Sequence, residues 1–279
     1  MREAIVLYRG EFGQLSIRNV IGDLVTHAHR HLHIILWLEG ATGEMMVGER
    51  KVVPGKRIAV GVNSFEPHNH SMAENDTGVF LAIYLDPEWL QRHRGLDASG
   101  IAFANPAIPV DGFLHAMVCD LVKGLIEDDG VAHLHPGEIL SLIDLVLDTA
   151  KAAEGEDCRR CRATSTCDFR IRKAIDVMST NLTNRLSFDK VARSAGLSRP
   201  HFFALFREQM NITPNIFWNM LRMEKALQQL QASDERLTEI AIDLGFSTQG
   251  NFSRFFREHI GVPPAVYRSA MRVSESAET

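Results

Sequence analysis

Phe206-Arg207-Glu208-Gln209-Met210-Asn211-Ile212-Thr213-Pro214 returns fifty residues later as Phe256-Arg257-Glu258-His259-Ile260-Gly261-Val262-Pro263-Pro264, with Phe-Arg-Glu and the last Pro unchanged. Upstream, Val191-Ala192 and Ala195-Gly196-Leu197-Ser198 pair with Ile240-Ala241 and Leu244-Gly245-Phe246-Ser247 at an offset of 49. A repeat of that kind is one supersecondary unit used twice. In the first copy Phe188, Val191, Ala192 and Ala195 make one apolar face, and the small Ala192 lets a second helix cross closely. Gly196 can take the positive φ that ends a helix. Leu197 plugs the turn, and Ser198 suits the N-cap of the next helix. That helix then buries Phe202, Leu205 and Phe206. Ala241, Gly245, Phe246, Phe252, Phe255 and Phe256 repeat the pattern. Each copy therefore reads as a helix-turn-helix, whose second helix is presented outward in the shape that enters a DNA major groove.

Between the copies, Thr213 caps and Pro214 opens a helix carrying Ile216, Phe217, Met220, Leu221, Met223, Leu227 and Leu230 on one face. About 18 residues of helix span roughly 27 Å, comparable with the 34 Å of one DNA turn.

The stretch Ile240-Ala241, Leu244-Gly245-Phe246-Ser247, Phe252-Ser253-Arg254-Phe255-Phe256-Arg257, Gly261-Val262-Pro263-Pro264 and Tyr267-Arg268 resembles the signature of the AraC/XylS family of bacterial transcription regulators. The resemblance covers residues 168–272. It implies base contacts from the second helix of each copy. Those are Gln249, Gly250, Asn251 and Arg254 in the second copy, and Arg199, His201 and Phe203 in the first. The side chains suit base recognition, since Arg forks onto guanine, Gln and Asn fork onto adenine, and Gly250 lets the backbone approach. Pro200, Phe203 and Ala204 depart from the polar residues the family often carries there, so the second copy is expected to be the main base reader. Ser198, Arg207, Thr248 and Arg257 are the expected phosphate contacts.

The rest of the chain differs in kind. Of 279 residues, 1–167 hold 15 Lys+Arg against 23 Asp+Glu, a net −8, and 168–279 hold 15 against 12, a net +3. Ten of the 12 His lie in the first part. An acidic, His-rich module is thus joined to a mildly basic one, a contrast that the whole-chain charge of −5 hides. The 45% hydrophobic content excludes disorder and low complexity. No apolar run approaches the roughly 18 residues of a membrane span, and the N-terminus lacks a signal peptide's apolar block, so a cytoplasmic protein is expected.

Apolar stretches at 5–8, 15–17, 33–38, 45–47, 57–62 and 79–85, separated by Gly, Pro and Asn turn signals, predict a small β-barrel or sandwich. Amphipathic helices are predicted near 111–127 and 137–153. The fold class is therefore α+β: residues 1–153 a strand-rich sensing and dimerisation domain, 154–167 a linker, and 168–279 an all-α domain of two helix-turn-helix units joined by a long helix.

His27, His29, His31 and His33 alternate, so in one strand all four would share a face. The family resemblance implies a cupin-like barrel here. Cupin metal sites use His-x-His, a Glu soon after, and a His from a later strand. His27 and His29 match the pair, His33 stands at the Glu position, and His68 in Phe65-Glu66-Pro67-His68 matches the later residue. Such a set suits a divalent metal, or contacts to a small-molecule effector in a pocket that Trp37 and Phe65 would help line. Cys158, Cys161 and Cys167 lie in the linker among Arg159, Arg160 and Arg162, which favour thiolates and allow redox or metal chemistry, though three Cys are one ligand short of a closed zinc site and an ordinary linker is the alternative reading. Cys119, at helical spacing, reads as a buried small hydrophobe.

The expected function is a non-enzymatic, ligand-responsive regulator, with a small molecule or metal as effector and promoter DNA, RNA polymerase and a second copy of the chain as partners. The alternative is a cupin-type metal-binding protein or enzyme with a degenerate helical domain.

Overall fold

A computed structural model describes residues 5–74, 76–95, 102–127, 136–153, 168–182, 186–233 and 235–276. Two antiparallel sheets build the first part. The larger runs in the order β1 (Ile5–Gly10), β2 (Gly13–Ile21), β9 (Thr77–Leu85), β4 (Leu32–Gly40), β7 (Ile58–Val62), β10 (Ala107–Pro109). The smaller runs β3 (Leu24–His27), β8 (His68–Ser71), β5 (Glu44–Val47), β6 (Arg50–Val52).

Both faces of the larger sheet are covered, and the period of two assigns each side chain to one of them. Leu15 and Ile17 of β2, Leu32, Ile34 and Leu36 of β4, and Leu81, Ile83 and Leu85 of β9 pack under α2 (Gly112–Glu127) and α3 (Pro136–Ala153). The intervening Val20, Ile35 and Phe80 meet Met45, Val47 and Val52 of the smaller sheet. Arg18, His33 and Tyr84 belong by the same alternation to this second face. Gly13 is required at the β1–β2 turn: its φ is +127°, and a Cβ there would lie 2.3 Å from the Tyr84 carbonyl oxygen.

The apolar stretches all become strands. The short strands β3, β6, β8 and β10 lie outside those stretches. So does α1 (Pro87–Arg94), capped by Asp86 Oδ1 accepting from the Glu88 and Trp89 amides at 2.9 Å. The histidine run is not one strand. β3 stops at His27, the chain bends through 28–31, and β4 starts at Leu32 in the other sheet. Cys119 is half-buried, 3.8 Å from His115 Nε2.

The second part is α4 (Phe169–Thr180), α5 (Phe188–Ser194), α6 (Arg199–Met210), α7 (Pro214–Ala232), α8 (Leu237–Asp243), α9 (Gln249–Ile260) and α10 (Pro264–Ser276). Both turns close alike. Gly196 and Gly245 each sit at φ 72°, and the Leu197 and Phe246 amides reach back to the Ala192 and Ala241 carbonyls at 2.9 Å. That is the bond pattern of a glycine-terminated helix. Asn211 and Gly261, equivalent in the repeat, end α6 and α9 in the left-handed region at φ 57° and 89°. Phe202 and Phe206 centre one core, Phe252 and Phe256 the other, all fully buried. Barrel residues enter both: Ala28 joins the first core and Leu7 the second.

Candidate functional site

The N-terminal halves of α6 and α9 offer the expected polar groups to solvent. On α9, Gln249, Gly250 and Arg254 are exposed and Asn251 half-exposed. Thr248 caps the helix, its Oγ1 accepting from the Asn251 backbone amide at 3.1 Å. Asn251 Oδ1 accepts from Arg254 Nη2 at 3.2 Å, and Asn251 Nδ2 donates to Ser247 Oγ at 2.8 Å, so Ser247, Asn251 and Arg254 form one bonded row. Gln249 Oε1 accepts from Thr238 Oγ1 at 3.0 Å.

On α6, Arg199, His201 and Arg207 are exposed, but Phe203 is half-buried, edge-on to Phe188 and Phe202 with the Arg199 guanidinium above it. Ser198 occupies the N-cap without a side-chain cap bond. Arg199 also pairs with Asp189 at 3.4 Å. Arg257, like Arg207, is exposed one residue beyond a buried Phe.

Arg222 of α7 supports the second unit from behind. It donates through Nε and Nη2 to the Leu244 carbonyl at 3.1 and 2.9 Å and lies 3.8 Å over the Phe246 ring. Burial pulls its pKa down to about 10.

At the other end of α9 the helix meets the barrel. The β3–β8 register sets His27 opposite His68, and their rings are 4.3 Å apart. His29, in the bend after β3, is 5.0 Å from His68. One nitrogen of each of these three lies within 4.8 Å of one nitrogen of the others. His33 joins from β4, 5.2 Å from His29, its ring stacked on Tyr84 at 4.1 Å. His31, in the bend, is not one of the grouped rings, although it borders the same cavity as His27 and His29. Thus His27, His29, His33 and His68 do converge, though by a corner between two sheets rather than along one strand.

Hydrogen bonding fixes the chemistry of these rings. Nδ1 of His27, His29 and His68 faces the carbonyls of Val25, His31 and Glu66 at 2.7, 2.7 and 3.0 Å. A carbonyl only accepts, so each Nδ1 carries the proton and each Nε2 the lone pair. Burial, with mutual repulsion between the rings, lowers the pKa of His27, His29 and His33 well below the usual value, and burial takes His68 to about 4. All are neutral at pH 7 and able to ligate.

A cavity of about 480 Å³ lies between this cluster and the helical domain, bordered by Arg18, His29, Tyr84, Met223, Glu224 and Tyr267. Neither Trp37 nor Phe65 borders it; Trp37 packs between the two sheets and Phe65 is 37% exposed. Arg18, buried in β2, closes one side by donating to the Ile260 carbonyl at the end of α9 at 2.8 Å and to the Tyr84 hydroxyl. Tyr267 of α10 donates to Gln14 Oε1 at 3.0 Å. Sequence reasoning missed Arg18, Arg222 and His259. Only the last left a trace, as the buried place where the second copy has His and the first has Gln209. Cys158, Cys161 and Cys167 lie outside the described residues.

A helix-turn-helix domain family matches residues 191–270. LumQ of Photobacterium leiognathi, a probable transcriptional regulator, is 33% identical over 246 residues, covering 88% of this chain and 92% of LumQ. The transcriptional regulator ArgR of Pseudomonas aeruginosa is 25% identical over 165 residues; the match covers 58% of this chain and about half of ArgR, 49%. Among solved structures, ToxT of Vibrio cholerae superposes with a TM-score of 0.52 over 97% of both chains at 10% identity, a likeness of fold. No helix among the described residues is long and apolar enough to cross a membrane.

Proposed function

From the premise that this chain belongs to the AraC/XylS family of transcription regulators, we propose that it reads promoter DNA with α6 and α9 under the control of an effector held where barrel and helical domain meet. The observation that carries this reading is the solvent-facing set Gln249, Asn251 and Arg254 at the start of α9, with Asn251 and Arg254 bonded to each other, on a helix otherwise anchored by Phe252, Phe255 and Phe256. Such a set offers donors and acceptors to base edges without first breaking a core contact. α9 is the principal reader. α6, with Phe203 held inward, contributes Arg199 and His201 to bases and Ser198 and Arg207 to phosphates; Thr248 and Arg257 serve the phosphates beside α9. The 19 residues of α7 span roughly 28 Å, which suits two readers about one DNA turn apart.

The effector is a small molecule in the 480 Å³ cavity or a divalent metal on the adjoining histidines. His27, His29 and His68 fit a metal: three neutral imidazoles, each with its second nitrogen bonded to a carbonyl, the usual outer support of a metal-bound His. A bound ion would act there as a tie between strands, and no catalytic role is proposed. The exposed Phe113 and Ile126 of α2 support a second copy of the chain docking on α2 and α3. RNA polymerase is the expected partner at the promoter, and the cytoplasm the expected compartment.

Gel shifts with DNA from upstream of the gene test the reading. Arg254→Ala removes one base contact, about 1–3 kcal/mol of discrimination between specific and unrelated DNA. Arg257→Ala weakens binding to all sequences alike and reduces the salt slope by about one. Equal discrimination by Arg254→Ala and the parent protein would refute the assignment of α9.

A further inference from the structure

We propose that the histidine cluster is a transition-metal site shared between the two domains, in which Nε2 of His259, from the DNA-reading helix, joins Nε2 of His27, His29 and His68 on one divalent ion. The inference deepens the regulator reading above and rests on it for its regulatory meaning.

His259 lies in the last turn of α9 and is 5% exposed. Its ring stands 5.9 Å from that of His27, within the 4.3 to 6.0 Å that separate the three barrel rings from one another. Its Nδ1 faces the Phe255 carbonyl at 2.7 Å, so its Nε2 also carries a lone pair. That Nε2, like the Nε2 atoms of His29 and His68, is buried with no hydrogen-bond partner among the described residues. A buried polar atom left unpaired is costly, and His29 and His68 already share one site with His27, while His259 stands beside His27 just outside that group, so that a short closure of α9 on the strands would bring it in. The partner must accept lone pairs; one water can donate to two such nitrogens, whereas a metal ion serves all of them at once. Four imidazoles without a carboxylate suit zinc, nickel or copper rather than magnesium or calcium. Each ligand is already deprotonated at the coordinating nitrogen and oriented through the other, the arrangement that outer-shell bonds give to metal-bound His.

His33 competes for the fourth place. Its two nitrogens both lack partners, so no carbonyl orients it, and its face is occupied by Tyr84. His33 is the nearer ring, 5.2 Å from His29 and 5.8 Å from His68, but His259 is the one that a carbonyl orients. An ion bound in this way ties β3 and β8 of the barrel to the helix that begins with Gln249, Asn251 and Arg254. Metal and DNA then bias each other's affinity by one coupling factor.

The test uses the full chain, freed of any affinity tag, stripped with chelator and titrated with Co²⁺ and then Zn²⁺. One equivalent is expected, with the visible cobalt band of a four-coordinate nitrogen site. His68→Ala abolishes the band. His259→Ala weakens binding roughly tenfold or more and alters the band, whereas His33→Ala leaves both unchanged. His259→Cys guards against a mere packing defect: it keeps the metal and adds a thiolate-to-cobalt charge-transfer band. No stoichiometric uptake by the parent protein overturns the proposal. So do His259→Ala and His259→Cys spectra identical to the parent's, which would place the ion wholly in the barrel. Gel shifts with and without metal are run in parallel. Loss of a metal effect in His259→Ala alone supports the coupling. A chain that binds DNA but no metal loses this inference only, and one that binds metal but no DNA loses the regulator reading.

Discussion

Removing Arg222 should loosen the second helix-turn-helix while leaving the first intact. Two guanidinium N–H groups bond the Leu244 carbonyl at 3.1 and 2.9 Å, at the point where α8 ends. Hydrogen bonds from a charged donor contribute about 1.5–3 kcal/mol. The stack on Phe246 at 3.8 Å adds about 0.5–2 kcal/mol. Against these stands the cost of holding a guanidinium partly out of water, visible in its pKa of about 10. The balance for Arg222→Ala is a loss of about 2 kcal/mol, local to α8 and α9. Arg222→Met, which still covers Phe246 but cannot bond Leu244, should lose about half of that. Native-state hydrogen exchange reads the effect at the Gly245 and Phe246 amides, which bond the Ile242 and Ala241 carbonyls. A local loss of about 2 kcal/mol speeds their exchange about thirtyfold. The matching amides of Gly196 and Leu197 in the first copy serve as the internal control. Unchanged protection at Gly245 and Phe246 in Arg222→Ala, or an equal change in both copies, would refute the reasoning.

Two more perturbations follow from the packing and the buried rings. Phe256→Ala should cost about 3–5 kcal/mol, as Phe206→Ala should in the other core, and each should abolish specific DNA binding in gel shifts; retention of full affinity by either variant would show that its unit is dispensable. The metal-free chain should lose stability as pH falls. With His68 at about 4 when folded and 6.5 when unfolded, the unfolded chain binds the proton first, so stability is full above pH 6.5 and falls toward pH 4, by about 2 kcal/mol at pH 5 from this ring alone. His27, His29 and His33 act in the same direction. Urea midpoints between about pH 7.5 and pH 5 check it, and a midpoint that rises toward pH 5 would contradict it.

The helical half was legible because its determinants are local. Gly196 and Gly245, four residues after the small Ala192 and Ala241, fix the turns wherever the units are placed, and the structure puts them at the same φ. The barrel was legible only where strands are apolar. β6 and β8, Arg50-Lys51-Val52 and His68-Asn69-His70-Ser71, carry no hydrophobic alternation and form because neighbouring strands offer paired edges. His27, His29, His33 and His68 stand out by type and spacing, yet their convergence depends on a bend at 28–31 that no periodicity announces. His259 comes from another domain, and side chains so distant in sequence meet only once both domains have folded. The same is true of Arg18 and the Ile260 carbonyl.

α9 is a rod of 12 residues, close to 18 Å from end to end, tied at its tail to the strands through Arg18, packed along its length by Phe252, Phe255 and Phe256, and turned to solvent at its tip. A pivot of only about 5° at the gripped end sweeps the tip through roughly 1.5 Å, the difference between a good hydrogen bond and none. Under the coupling proposed above, small events among the imidazoles would be magnified before they reach the nucleotides, and the barrel would need no large rearrangement of its own to be heard there.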